Sequence, residues 1–314
     1  MSLGNPKICI VIPILNEAAY LKESLDSLMA QKYQPIELVC YDGGSTDGSL
    51  DILAQYPIRT HVIKGLGQMA SINAGWKATD AEFVTWWAGD DRYLPGALSC
   101  LVAELKKHPS ASFVHADADV IDEHGTIIGR STPGHVTLVD LVGGFPVVPQ
   151  TTLIRRSALA KAGMMNESLR LAADWDLYLR LLQYYPSHYL PLTVAQRRIH
   201  AGSEDSVNVG RSGEACSVVL NSFFSRPDLT VDQLQLKRRA LACAQLSQAW
   251  ASVVSNSRDD AWDNLWAAIK LHPPSPISTR VGRHLLARLL WPFKVGPRQI
   301  NLLRRTVFTR FPGI

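Results

Sequence analysis

The sequence predicts an α/β fold, a largely parallel sheet with helices on its faces, followed by a helical extension. Three observations carry this. Apolar runs at residues 8–12 and 36–41 flank a segment whose leucines, Leu21, Leu25 and Leu28, recur at helical spacing. Each run stops abruptly in polar residues, Asn16-Glu17 beyond Pro13 in the first case and Asp42-Gly43-Gly44-Ser45-Thr46-Asp47-Gly48 in the second. A third apolar run, residues 81–87, ends the same way at Ala88-Gly89-Asp90-Asp91. Loops at the carboxyl ends of strands are where open α/β sheets bind ligands, so these polar groups stand where a site is expected.

The elements follow in order. After the first strand–helix–strand unit, residues 60–64 read as a short strand and 68–78 as a helix with Ala70, Ala74 and Trp76 available for packing. Pro95 opens another helix through Leu98, Leu101 and Leu105, since a missing N–H costs nothing in a first turn. Residues 112–121 read as a strand entering the turn Glu123-His124-Gly125, and 145–149 as an irregular, proline-bounded passage. A short helix is expected at 156–162 and a stronger one at 174–182, with Leu177, Leu181 and Leu182 on its apolar side. From Val231 the pattern is continuously helical, and 239–273 reads as a helical hairpin. That spacing suits one tetratricopeptide-type unit or any ordinary pair of packed helices.

Composition bounds the class. With 314 residues, 46% hydrophobic and 19% charged, the chain is globular and long enough for one large domain plus an appendage. No stretch approaches the roughly 18 apolar residues of a membrane span, and no basic segment followed by an apolar core marks a signal peptide. The five cysteines are scattered without zinc spacing, and Cys9 and Cys40 fall inside apolar strands; reduced thiols in a cytoplasmic protein are expected. Net charge is only +4, but nine basic residues and no acid lie from Lys270 onward. In that tail a helix over 278–291 would interleave Arg280, Arg283 and Arg288 with Leu285, Leu286, Leu289 and Leu290. It fits either docking on an anionic membrane surface or packing on the hairpin, and no motif points to nucleic acid.

The chemistry concentrates at four places. Asp42, at a strand end, is either a turn-capping residue or a ligand group. Gly65-Leu66-Gly67-Gln68 precedes a helix N-terminus, where free N–H groups favour negative charge. Asp90-Asp91 places two adjacent carboxylates together, which a hard divalent cation would compensate, although one of them could simply cap the turn toward Pro95. Asp174-Trp175-Asp176 puts two acids in a helix's first turn.

The opening run with Pro13, Leu15 and Glu17, the Asp42 loop, and Asp90-Asp91-Arg92-Tyr93-Leu94-Pro95-Gly96-Ala97-Leu98 together resemble family 2 glycosyltransferases of the A-type fold, over about residues 7–206. The resemblance implies a Rossmann-like mixed sheet of the nucleotide-diphospho-sugar transferase type. Residues 1–225 would be the catalytic domain, with a nucleotide-binding half at about 7–98 and an acceptor half at about 99–210. Residues 226–314 would be an α-helical, basic extension. It further implies that Pro13, Leu15, Glu17, Asp42, Gly67, Gln68, Asn73 and Asp90 contact a nucleotide-sugar donor, Asp42 through the base. Asp91 and His200 would hold Mn²⁺ or Mg²⁺. Asp174 would be the general base of an inverting transfer to a glycan or lipid-linked glycan, preferred over Asp176 by its motif position. The family's Glu-Asp is reduced here to Ala173-Asp174. That departure leaves an inactive sugar-nucleotide-binding protein as one alternative. A nucleotidyltransferase is the other, without the expected glycine-rich basic loop.

Overall fold

A computed structural model describes residues 4–144, 147–203, 212–254 and 257–273. Among these, nine strands form one sheet: β1 (Ile8–Ile14), β2 (Ile36–Asp42), β3 (Arg59–Val62), β4 (Phe83–Trp86), β5 (Arg92–Tyr93), β6 (Phe113–Ile121), β7 (Ile127–Ser131), β8 (Leu153–Arg155) and β9 (Ser187–Arg198). The order is β3-β2-β1-β4-β8-β6-β9-β5, with β7 paired to β6. The first four strands are parallel, and β8 enters antiparallel between β4 and β6.

The helices are α1 (Ala18–Met29), α2 (Ser49–Leu53), α3 (Gln68–Ala78), α4 (Ala97–Lys107), α5 (Leu138–Leu141), α6 (Leu159–Ala162), α7 (Ala173–Tyr184), α8 (Ser212–Phe224), α9 (Val231–Gln235), α10 (Lys237–Val254) and α11 (Arg258–Leu271). Side chains alternate across the sheet, so β1 feeds two cores. Ile8, Ile10, Ile12 and Ile14 join α1 and α4 residues such as Leu25 and Leu101 on one face. Cys9 and Val11 face α3 and α7 on the other, with Trp76 and Leu177. There α3 lies so close to β1 that a Cβ on Gly75 would come 2.4 Å from Val11 Cγ2, and only glycine allows that approach.

The mixed sheet, its flanking helices and the helical hairpin follow the expectation, whereas β5, α5 and α8 lie where no element was expected, and two details of the strands differ as well. β1 continues through Pro13, because pairing with β4 ends at Val11 and no partner on that side needs the missing N–H. The twelve-residue β9 was not foreseen: Pro191 and Leu192 interrupt its pattern, and the register with β6 shifts where they lie, between Leu190 and Thr193.

Past residue 225 the helical part is continuous with the core. Ala240 and Ala244 of α10 share a buried cluster with Leu220 and Phe223 of α8 and Leu177 of α7, while α10 and α11 form a smaller core of their own around Leu246 and Leu265. The expected helix over 278–291 lies outside the described residues.

Candidate active site

The loop after β1 and the loop after β2 are stitched together by side chains. Ser45 Oγ accepts the Asn16 N–H (2.9 Å), Ser49 Oγ accepts the Glu17 N–H (3.0 Å), and Asp47 Oδ2 accepts the Ala18 N–H (2.9 Å). The Glu17 and Ala18 N–H groups have no partner within α1, so the polar run after β2 completes a neighbouring helix rather than only its own turn. Asn16 returns the contact by accepting the Thr46 N–H on Oδ1 (2.8 Å).

The loop after β4, the end of β9 and the start of α7 converge on a cavity of about 750 Å³. Of the residues expected at a site, Leu15, Glu17, Gln68, Asp90, Asp91, Asp174 and His200 line it. Asp91 is 2% exposed and accepts the Arg198 backbone N–H on Oδ1 (2.7 Å). Asp90 Oδ2 lies 3.2 Å from His200 Nε2. Arg198 is held by several groups: its guanidinium donates to the carbonyls of Asp90 and Asp122, pairs with Glu23 and stacks over Tyr20.

Burial dominates the electrostatics. It raises the Asp91 carboxyl well above its ordinary 3.8, with the Asp90 charge adding to the shift and the Arg198 N–H opposing it. Glu17 is pushed up to about 8, first by burial and then by Asp90 and Asp47. Its carboxylate packs against Gly89, where a Cβ would meet Glu17 Oε2 at 2.7 Å. Arg197 is buried beside them; burial lowers its pKa while Asp91, Asp90 and Asp174 favour the charged form.

Across the cavity, burial also raises Asp174, opposed by the N–H groups of its own helical turn and by Arg197. Asp176, two residues on, is committed elsewhere. It accepts both Nε (3.0 Å) and Nη2 (2.7 Å) of Arg180, a buried pair whose guanidinium also donates to the carbonyls of Ala162 and Met164. The turn before α7 places Ala172 at φ 58°, and Asn16 has φ 59°. Among the described residues these two are the non-glycines in the left-handed region, and both line the cavity. Such conformations cost energy and cluster at functional sites.

Four expected residues do not line it. Asn73 bridges to another segment, donating to the Met165 carbonyl (2.9 Å) and Glu167 (2.7 Å) and accepting the Met165 N–H (3.0 Å). That amide clamps α3 to the segment before α7, so it is not carried into the site below. Asp42 is fully buried; its Oδ1 accepts the N–H groups of Gly44 and Ser45 (2.8 Å each), while Oδ2 has no partner. Pro13 is interior to β1, and Gly67 precedes the first residue of α3.

Other lining residues were missed. Trp86, Met69, Met165 and Trp175 give the cavity apolar walls, and Trp175 Nε1 donates to Leu141 O (2.9 Å). Cys216 of α8 and Ser247 of α10 close one side. No local pattern in the sequence marks Cys216 and Ser247, because their part of the lining arises from long-range packing of the late helices.

A parallel nucleotide-type half, an antiparallel insertion and acids on the loops at strand ends define the A-type glycosyltransferase fold. The sequence profile described as "Glycosyl transferase family 2" matches residues 9–161. A protein of Bacillus subtilis named "Putative glycosyltransferase EpsE" is 30% identical over 191 residues, covering 57% of this chain and 68% of that protein. A protein of Rickettsia felis named as an uncharacterized glycosyltransferase is 27% identical over 242 residues, 73% of this chain but 40% of its own length. The chain thus spans less than half of that longer relative. Among solved structures, S. aureus TarS 1-349 in complex with UDP-GlcNAc superposes with a TM-score of 0.65 at 17% identity, over 90% of this chain and 88% of that one. The mannosyltransferase PcManGT of Pyrobaculum calidifontis, in complex with GDP-Man and Mn²⁺, gives 0.57 at 17% identity, over 93% and 89%. At those identities the likeness is one of fold. The chain belongs to glycosyl transferase family 2.

Proposed function

We propose that this chain transfers a sugar from a nucleotide-sugar donor, a UDP-sugar by preference, to a hydroxyl of a glycan or lipid-linked glycan, with inversion. The observation that carries the reading is that Asp90, Asp91 and Asp174 line a single cavity, all within electrostatic reach of Arg197.

The residues suit a hard divalent cation. Glu17, Asp90 and Asp91 offer carboxylate oxygens, and burial with the charges around them disfavours the ionised forms of Glu17 and Asp91 until a cation compensates them. Asp91 would hold Mn²⁺ or Mg²⁺, with His200 beside it and Asp90 turned toward the donor. When bound, the ion supplies Lewis-acid stabilisation of the departing diphosphate.

The chain's own groups do the rest. Asp174 takes the proton of the acceptor hydroxyl, and a carboxylate raised by burial is a stronger base for it. Arg197 favours the ionised form of Asp174 against burial and would place positive charge near the leaving group. Leu15 and Gln68 border the donor. Trp86, Met69, Met165 and Trp175 exclude water that would otherwise intercept the activated sugar. A hydroxyl attacking from the Asp174 side, opposite the diphosphate, gives one displacement and inversion. Asp42 would reach a nucleobase through its unpartnered Oδ2 only if the loop over it moves.

Release of nucleoside diphosphate from a panel of nucleotide-sugars, with Mn²⁺ and candidate acceptors, tests the reading. Product appears for one donor and not with chelator; no release from any donor–acceptor pair counts against it. The acidless basic run from Lys270 supports docking at an anionic membrane carrying a lipid-linked acceptor. Salt-sensitive co-sedimentation with anionic vesicles checks this. Among the described residues no helix is long and apolar enough to cross a membrane.

A further inference from the structure

A second group of metal-type side chains lies apart from the cavity. The last turn of α4 and the start of β9 bring together Glu104, His108 and His188, none of which lines the cavity. His188 Nε2 is 3.0 Å from Glu104 Oε1, and His108 Nε2 is 3.3 Å from the same oxygen. The two imidazoles stack with centroids 3.5 Å apart and planes 14° from parallel. Lys107 Nζ occupies the other carboxylate oxygen, Oε2, at 3.0 Å. One atom from each of the three residues falls within 4.8 Å of the others.

We propose that Glu104, His108 and His188 form a divalent cation site of the zinc class, distinct from the acidic site in the cavity. Two imidazoles and one carboxylate are a borderline donor set that suits Zn²⁺ better than Mg²⁺ or Ca²⁺. Ligand atoms about 2.0–2.1 Å from a tetrahedral zinc lie about 3.3 Å from one another, close to the spacings of the two Nε2 atoms from Glu104 Oε1, and binding would turn the stacked rings apart so that their in-plane lone pairs converge on the ion. Zinc binds imidazole in its neutral form, so occupancy should rise with pH. Three protein ligands leave a fourth position for water. His135 stands edge-on to the His188 ring, 6.2 Å between centroids, and is the nearest ring outside the stacked pair. The ion would tie the end of α4 to β9, the strand that carries Arg197 and Arg198 at its far end.

The test uses the full chain freed of metal by chelation, titrated calorimetrically with Zn²⁺ alone and followed by thermal melting. The expected result is one zinc per chain that raises Tm. Affinity falls by about tenfold or more in His108→Gln and in His188→Gln, a loss on the scale seen when a metal site is disturbed. Asp91→Asn, which disables the acidic site, retains this zinc. His108 lies at an exposed helix end, so its variant carries the test should His188→Gln fail to fold. Zinc binding of wild-type affinity in both histidine variants, loss of it in Asp91→Asn, or no binding to the wild type would overturn the site and leave the three side chains a hydrogen-bonded set.

Discussion

The backbone N–H of Arg198 donates to Asp91 Oδ1 across 2.7 Å, joining the acidic loop after β4 to a strand 107 residues later. This bond fixes the carboxylate proposed to hold the metal from outside its own loop, within electrostatic reach of Arg197. The bond also opposes the burial that raises the Asp91 pKa without cancelling it.

Asp91→Asn should therefore stabilise the metal-free fold. An amide keeps an oxygen for the Arg198 N–H and removes a carboxylate that burial and Asp90 disfavour. The sign is fixed by linkage: the folded protein holds this proton to higher pH than the unfolded chain, so the wild type loses stability as pH rises above the ordinary 3.8. The Tm difference between Asp91→Asn and wild type should widen with pH across that window and then level off. Melts in chelator from pH 5 to pH 8 check it.

Asp174 and Asp176 should separate cleanly. Asp174→Asn keeps the fold and donor KM while lowering kcat by about 10² or more, the scale of general-base catalysis. Asp176→Asn leaves the buried Arg180 guanidinium without its carboxylate and should cost about 3–5 kcal/mol of stability, read by denaturant unfolding.

The first-turn position of Asp174 was legible in the sequence, and so was its difference from Asp176, through motif position and because a side chain two residues on points differently on a helix. The structure supplies the physical reason in Arg180, whose pairing uses the i,i+4 spacing of one helix. The βαβ opening, α3 and the Asp90-Asp91 loop were equally legible, because their signals are local: an apolar run, a stop, a cap. Asn73 was not. An amide at a helix face looks the same whether it meets a ligand or clamps Met165, and the partner lies 92 residues away. Cys216 and Ser247 escaped for the same reason.

Asn73→Ala should then behave as a packing variant. Losing its bonds to Met165 and Glu167 should cost about 2 kcal/mol, the scale for stranding buried polar groups. Donor KM should stay within about twofold of wild type at a temperature where the variant is folded, whereas loss of a charge-assisted donor contact would shift it about tenfold or more.

Activity should fall on the acid side with an apparent pKa above 3.8, since burial raises Asp174 and the base works only when ionised. The kcat profile at saturating donor and Mn²⁺, where the cation holds the acidic loop ionised, should show that limb, and Asp174→Asn should lack it in its residual rate.

The central claim is that the acidic loop and Asp174 serve one nucleotide-sugar site. Calorimetric titration of UDP and GDP into wild type, Asp91→Asn and Asp174→Asn, with and without Mn²⁺, tests it most directly. The account predicts Mn²⁺-dependent binding of one nucleoside diphosphate to the wild type and to Asp174→Asn, and its loss in Asp91→Asn. Binding in Asp91→Asn that matches the wild type in affinity and Mn²⁺ dependence would contradict it.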